Sequence, residues 1–239
     1  MASTFLNRYL QLLVLLFVFT TKMTHAQFAM VDSKDELTPL LEAADGKSAV
    51  LATIKNGELV FLLENEAVNS YYLVGFKNDL AGYVKIEAIQ PLQQHTAFSR
   101  VSETDQRLIL KHAVGELTYT VAAVDLAKEK DHFTVERNID QQSYVTHYHK
   151  APFWGTDGDY PKEKIESIQL TWKNKLYSMP KALFQACFSP NLTATDCYYS
   201  KETETVYLTF TNGDGAGGYV GYFYFRNKQW AIGSLFNGF

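Results

Sequence analysis

Cysteine is scarce in this chain of 239 residues: there are two, Cys187 and Cys197, within the stretch ACFSPNLTATDC. Their spacing excludes a C-x-x-C redox pair. Long apolar runs are as scarce. One occurs, Leu10 to Phe19, and it is shorter than the roughly 20 residues a membrane-spanning helix needs. Catalytic signatures are missing as well. There is no G-x-S-x-G and no H-E-x-x-H. Ser178-Met179-Pro180-Lys181 has the form S-x-x-K, but S-D-N and K-T-G do not accompany it. Gly46-Lys47-Ser48 has Leu41 where a phosphate loop needs its first glycine, and it leads into a strand-like run instead of a helix. An excess of basic charge is also lacking. Lys and Arg total 22 against 26 Asp and Glu, a formal net charge of −4, so no basic face for nucleic acid is expected.

The N-terminus carries the one clear address. Arg8 precedes the apolar run, TTKMTHA follows it, and small residues stand at Thr24 and Ala26. That layout is a cleavable secretory signal over residues 1–26, with Gln27 as the expected mature N-terminus. No cysteine follows the small residues, which excludes the lipid-anchored variant. The segment carries Arg8 and Lys22 and no acids, so its removal makes the chain more acidic. The expected location is secreted or periplasmic, with no membrane span after signal removal. In an exported chain a close, even pair of cysteines predicts a Cys187–Cys197 disulfide. The loop between them holds Asn191-Leu192-Thr193, a glycosylation sequon.

Residues 27–239 read as one β-rich domain. Thr38 as cap, Pro39 at the first position and Gly46 at the exit predict one short helix with Leu40, Leu41 and Ala44 on a face. The apolar stretch KALFQAC predicts a second. Elsewhere the pattern is strand-like. SAVLATI (48–54) and ELVFLL (58–63) flank Asn56-Gly57, a strong hairpin signal. TVYLTF and YVGYFYF flank TNGDGAGGY, which predicts an antiparallel hairpin with a glycine-rich connection. Many short strands divided by turn residues predict an all-β, antiparallel sandwich or barrel-like fold. Gln90 to Gln106 is polar and reads as a long loop. Ala151 to Lys164 is the candidate boundary if the domain has two subdomains.

Candidate sites are few. His147 and His149 are two apart, so a regular strand would point both imidazoles to one side. With Asp157 and Asp159 nearby they form a candidate zinc site. Trp154, Asp214, Tyr222 and Tyr224 are candidate ligand-binding residues, because exposed aromatics recur at recognition surfaces. Alternating aromatics in YVGYFYF leave two options: one face exposed for recognition, or a sheet covered on both sides. No catalytic residue stands out. The expected function is a non-catalytic binding module for a protein, peptide or glycan. The alternatives are a hydrolase assisted by metal at His147 and His149, and a structural, envelope-associated protein.

Overall fold

The computed structural model describes residues 28–64, 66–77, 80–213 and 215–237. The expected signal segment and cleavage site lie outside them. The first sheet takes β1 (Phe28–Val31), β2 (Leu37–Leu41), β3 (Val50–Lys55), β4 (Leu59–Leu62), β5 (Tyr71–Phe76), β6 (Leu80–Lys85) and β7 (Ile89–Pro91) in the order β3-β2-β6-β5-β4-β1-β7. The chain continues through β8 (Thr96–Ala97), β9 (Ser99–Thr104), β10 (Arg107–His112) and β11 (Gly115–Ala123) to a one-turn helix α1 (Leu126–Glu129). A small three-stranded sheet follows: β12 (Phe133–Arg137), β13 (Ser143–Tyr148) and β14 (Ala151–Pro152). The last strands are β15 (Glu163–Trp172), β16 (Lys175–Ser178), β17 (Thr195–Ser200), β18 (Thr205–Asn212), β19 (Tyr219–Arg226) and β20 (Gln229–Asn237). They complete two five-stranded sheets, β16-β15-β11-β10-β9 and β20-β19-β18-β17-β8. Every strand pair is antiparallel, and the fold is all-β.

The sheet containing β18 and β19 is the middle of three layers. On one face Val206, Leu208, Phe210, Phe223 and Phe225 pack against Leu108, Leu117, Ile168 and Leu170 of the outer five-stranded sheet. On the other, Tyr207, Val220, Tyr222 and Phe236 pack against Phe28, Met30, Leu59 and Phe61. Strand alternation does the same for β1: Phe28 and Met30 face the middle sheet, while Ala29 and Val31 face the first sheet's own core with Leu40, Ile54, Val74 and Val84. Of the two readings of YVGYFYF, the covered sheet is the one observed. Tyr222 is 2% exposed. Its ring lies where a Cβ on Gly233 would stand, at 1.9 Å, so only glycine fits that position.

Polar groups clasp the first sheet to the middle one. The Tyr207 hydroxyl donates to the Gly57 carbonyl at 2.7 Å. Arg226 donates to the same carbonyl at 2.9 Å, to Tyr207 Oη at 3.1 Å and to Thr205 Oγ1 at 2.7 Å.

The predicted C-terminal hairpin is present. β18 and β19 pair from Val206↔Phe225 to Asn212↔Tyr219, and Gly213 to Gly218 connect them through a 3₁₀ turn at Gly215–Gly217. Other expectations are corrected. Residues 38–46 are not a helix: Leu37–Leu41 is a strand, paired with β3 from Leu37↔Lys55 to Leu41↔Val50. Proline pushes the residue before it toward extended backbone, and β2 meets β6 only at Leu41↔Tyr83, so the missing N–H of Pro39 sits where the ladder is sparse. KALFQAC has only a 3₁₀ turn at Lys181–Leu183. Asn56-Gly57 does not close a hairpin, because β3 pairs with β2 while β4 pairs with β1 and β5. Gly57, at φ +78°, instead carries the chain between them and donates to Val31 O at 2.7 Å.

The stretch 90–106 is not a loop. It holds β8, paired with β17, and β9, paired with β10. β9 is a fully exposed edge strand, which explains its polarity. The candidate boundary at 151–164 holds β14 and the first two residues of β15, which pairs with β11 from Gly115↔Trp172 to Ala123↔Glu163. Cys187 and Cys197 are free thiols, not a disulfide. Both are buried in the core between the middle and outer sheets, Cys197 on β17 and Cys187 in the loop beneath Trp154.

Candidate functional site

Beside β2 the first sheet holds a cavity of about 580 Å³, between β2 and the segments on either side of it. Leu37, Pro39 and Leu41 on β2 and Val50 on β3 give it apolar walls, and Tyr71 closes its inner side. Lys34 and Asp35 stand on its rim from one side, Lys85 and Glu87 from the other. Both signs of charge therefore border an apolar hollow.

Local hydrogen bonds hold these walls. The turn from Glu42 to Ala49 closes with Glu42 N–H donating to Ala49 O at 2.9 Å. Asp45 Oδ1 accepts from Lys47 N at 3.0 Å. Ser48 Oγ accepts from Ala43 N at 3.2 Å. A Cβ on Gly46 would stand 3.2 Å from Tyr71 Oη, so the glycine lets the ring lie against the turn. Asn56 brackets Ser33, accepting its N–H at 3.1 Å and donating to its carbonyl at 2.8 Å. Thr38, also on the wall, has a buried hydroxyl with no partner among the described residues.

β3 is the edge of its sheet. An edge strand presents unpaired N–H and C=O groups to an incoming chain. Val50 and Leu51 on it are 57% and 41% exposed. The cavity thus offers apolar contact, paired charge and a backbone edge in one place. The serines that line it bond to the backbone: Ser33 Oγ donates to Asp35 O at 2.8 Å and Ser48 Oγ to Ala43 O at 3.2 Å.

The candidates read from sequence lie elsewhere. β13 ends at Tyr148, and His149 and Lys150, at φ +48° and +66°, form the turn into β14. The strand alternation that would align the two imidazoles stops there. His149 stacks on His132 with ring centroids 4.2 Å apart, while His147 Nδ1 lies 2.8 Å from Thr146 Oγ1. Asp157 and Asp159 are exposed in the loop beyond. Among the described residues no three His, Cys, Asp or Glu side chains converge as metal ligands.

Tyr222 is interior, its Oη accepting from Leu59 N at 3.4 Å. Tyr224 is half-buried, with the Arg226 guanidinium 5.7 Å from its ring centroid. Trp154 packs on Tyr219 at 5.9 Å. Asp214 lies outside the described residues, but the loop that holds it is nested backbone to backbone on the Gly155–Asp157 turn: Cβ atoms on Gly213 and Gly217 would strike Gly155 and Thr156. Beneath it Tyr219 donates to Phe188 O at 3.0 Å and accepts from Asn212 Nδ2 at 3.0 Å. Burial pushes the adjacent Cys187 thiol up to about 12, an effect that Tyr219 offsets only in part.

A second hollow, of about 590 Å³, opens between the β15–β16 and β19–β20 turns. Both turns have two central residues at positive φ: Lys173 and Asn174 at +48° and +65°, Asn227 and Lys228 at +54° and +62°. These are the primed hairpin turns whose twist suits antiparallel strands. Left-handed backbone at a non-glycine residue costs about 1 kcal/mol or more. Sequence reading missed both hollows, since each is assembled from segments far apart in the chain. No protein-family model matches the chain, and no curated protein or solved structure is significantly similar to it.

Proposed function

We propose that the protein is a secreted or periplasmic, non-catalytic binding module, and that its ligand is an extended peptide with ionised groups seated against β2 and β3. The observation that carries this reading is the apolar cavity rimmed by Lys34, Asp35, Lys85 and Glu87 and opening beside the edge strand β3. Peptides bind sheet edges through backbone hydrogen bonds, and side-chain pockets select among them. Charges of both signs at the rim suit a zwitterionic chain better than a polyanion or an aliphatic chain.

The test is binding of short synthetic peptides carrying both a free amine and a carboxylate, compared between the mature protein and Val50→Asp. The variant changes an exposed side chain, so its fold should persist. The reading expects binding to fall about tenfold or more, the effect of losing one apolar contact of some 1.4 kcal/mol. Equal affinity for both proteins, or no peptide bound by either, contradicts it. Intact mass of the exported protein tests the location: a chain that retains residues 1–26 is inconsistent with it.

A further inference from the structure

The second hollow carries chemistry of its own. Lys173, Lys175 and Lys228 stand around it, and Glu204 is the single acid on its rim. Lys173 pairs with Glu204 at 3.1 Å. No carboxylate pairs with Lys175 or Lys228 among the described residues, so two ammonium groups face the hollow uncompensated in a chain of net charge −4. The walls are rings. The Lys173 ammonium lies 5.5 Å from the Trp172 ring centroid and the Lys175 ammonium 5.5 Å from that of Tyr177. Phe225, 2% exposed, is the floor, with Tyr177 against it at 4.9 Å and Trp172 at 6.0 Å.

This arrangement is fixed from below. Trp230 Nε1 donates to the Tyr177 carbonyl at 3.2 Å, tying β16 to the β19–β20 hairpin. Turn geometry then brings Lys173 and Lys228, 55 positions apart in the chain, to one mouth. Trp172 and Phe225 are buried, so the partly exposed ring here is Tyr177, and the lysine beside it sets point charge next to an apolar surface. That combination suits an anion attached to a ring. An ammonium makes no bidentate fork, so selection rests on charge and on ring contact.

We infer that this hollow is a subsite for acidic glycans: sugar rings bearing carboxylate or sulfate, with the oxyanions at Lys175 and Lys228 and the C–H face of the ring toward Tyr177. Asn227 also lines the hollow and supplies an amide of a kind that pairs with ring hydroxyls. This site is separate from the peptide cavity on the first sheet, and each can fail without the other.

The experiment measures binding of polygalacturonate, dextran sulfate and uncharged dextran to the full mature protein at low salt and at about 0.5 M salt, where the screening length falls to a few ångströms. The inference expects one or both charged polymers to bind, the neutral one not to bind, and the affinity to drop about tenfold or more with salt. Lys175→Ala with Lys228→Ala should weaken binding by a similar factor, while Lys150→Ala with Lys162→Ala, on other surfaces, should not. Binding of the neutral dextran, failure of both charged polymers, or equal loss in the two double variants would each overturn it. So would binding confined to vesicles of anionic phospholipid.

Discussion

At the residue scale the two thiols give the clearest consequence. Cys187 and Cys197 are buried and unbonded. Native protein at neutral pH should resist a thiol reagent, and unreduced protein unfolded in guanidinium should label at both cysteines. The absence of label after unfolding would mean that they are joined. The buried thiol also makes stability depend on pH. Cys187 is held up to about 12 in the fold, against about 8.5 in an unfolded chain. Its neutral form is favoured by folding, so that contribution is complete below about pH 8.5 and is lost as pH rises toward 12. Burial raises Cys197 and Tyr219 in the same direction. The denaturation midpoint should therefore fall steadily from pH 8.5 to 11, and Cys187→Ala should shrink that fall even though it lowers the midpoint at pH 7. An alkaline profile unchanged by the substitution would contradict this assignment.

At the scale of elements, the clasp on Gly57 decides how two sheets sit together. Arg226→Met keeps the apolar stem and removes donors to Gly57 O, Tyr207 Oη and Thr205 Oγ1. Loss of partners for part-buried polar groups costs about 1–3 kcal/mol, and a urea series should find that loss. Gly57→Ala should be as costly, because its Cβ would stand 2.8 Å from Arg226 Nη2 at a positive φ. If either variant unfolds at the wild-type midpoint, the clasp does not couple the sheets.

The same elements show what a sequence reveals. The β18–β19 hairpin is legible because its strands are adjacent in the chain and rich in aromatic and β-branched residues. Leu37–Leu41 is not, because Thr38, Pro39 and Gly46 carry signals shared by helix ends and by turns between strands. Tertiary pairing with β3 decides between them. Asn56-Gly57 is a turn, as its residues imply, yet which strands it joins side by side depends on β1, inserted from earlier in the chain.

At the scale of the molecule, most of the aromatic run YVGYFYF, which looks like a recognition surface, lies in the interior of three layers. Tyr222 and Phe223 are neighbours in sequence and belong to opposite cores. Truncating either to alanine should cost about 3–5 kcal/mol, whereas a sheet with one wet face would tolerate one of the two. With the middle sheet covered, the recognition proposed for this protein falls to the hollows at the ends and edges, and to the first sheet's cavity above all. Neither hollow was legible in the sequence, since Ser33, Gly46, Tyr71 and Lys85 meet only through sheet topology.

The most direct test is an amide NMR map of the mature protein titrated with a zwitterionic peptide. Shifts confined to residues 33–50, Tyr71 and Lys85–Ala88, with β18 and β19 unmoved, are the expected result. Shifts centred on Tyr207, Tyr222 and Phe223 would contradict the account, because those buried side chains would then be a surface and not a core.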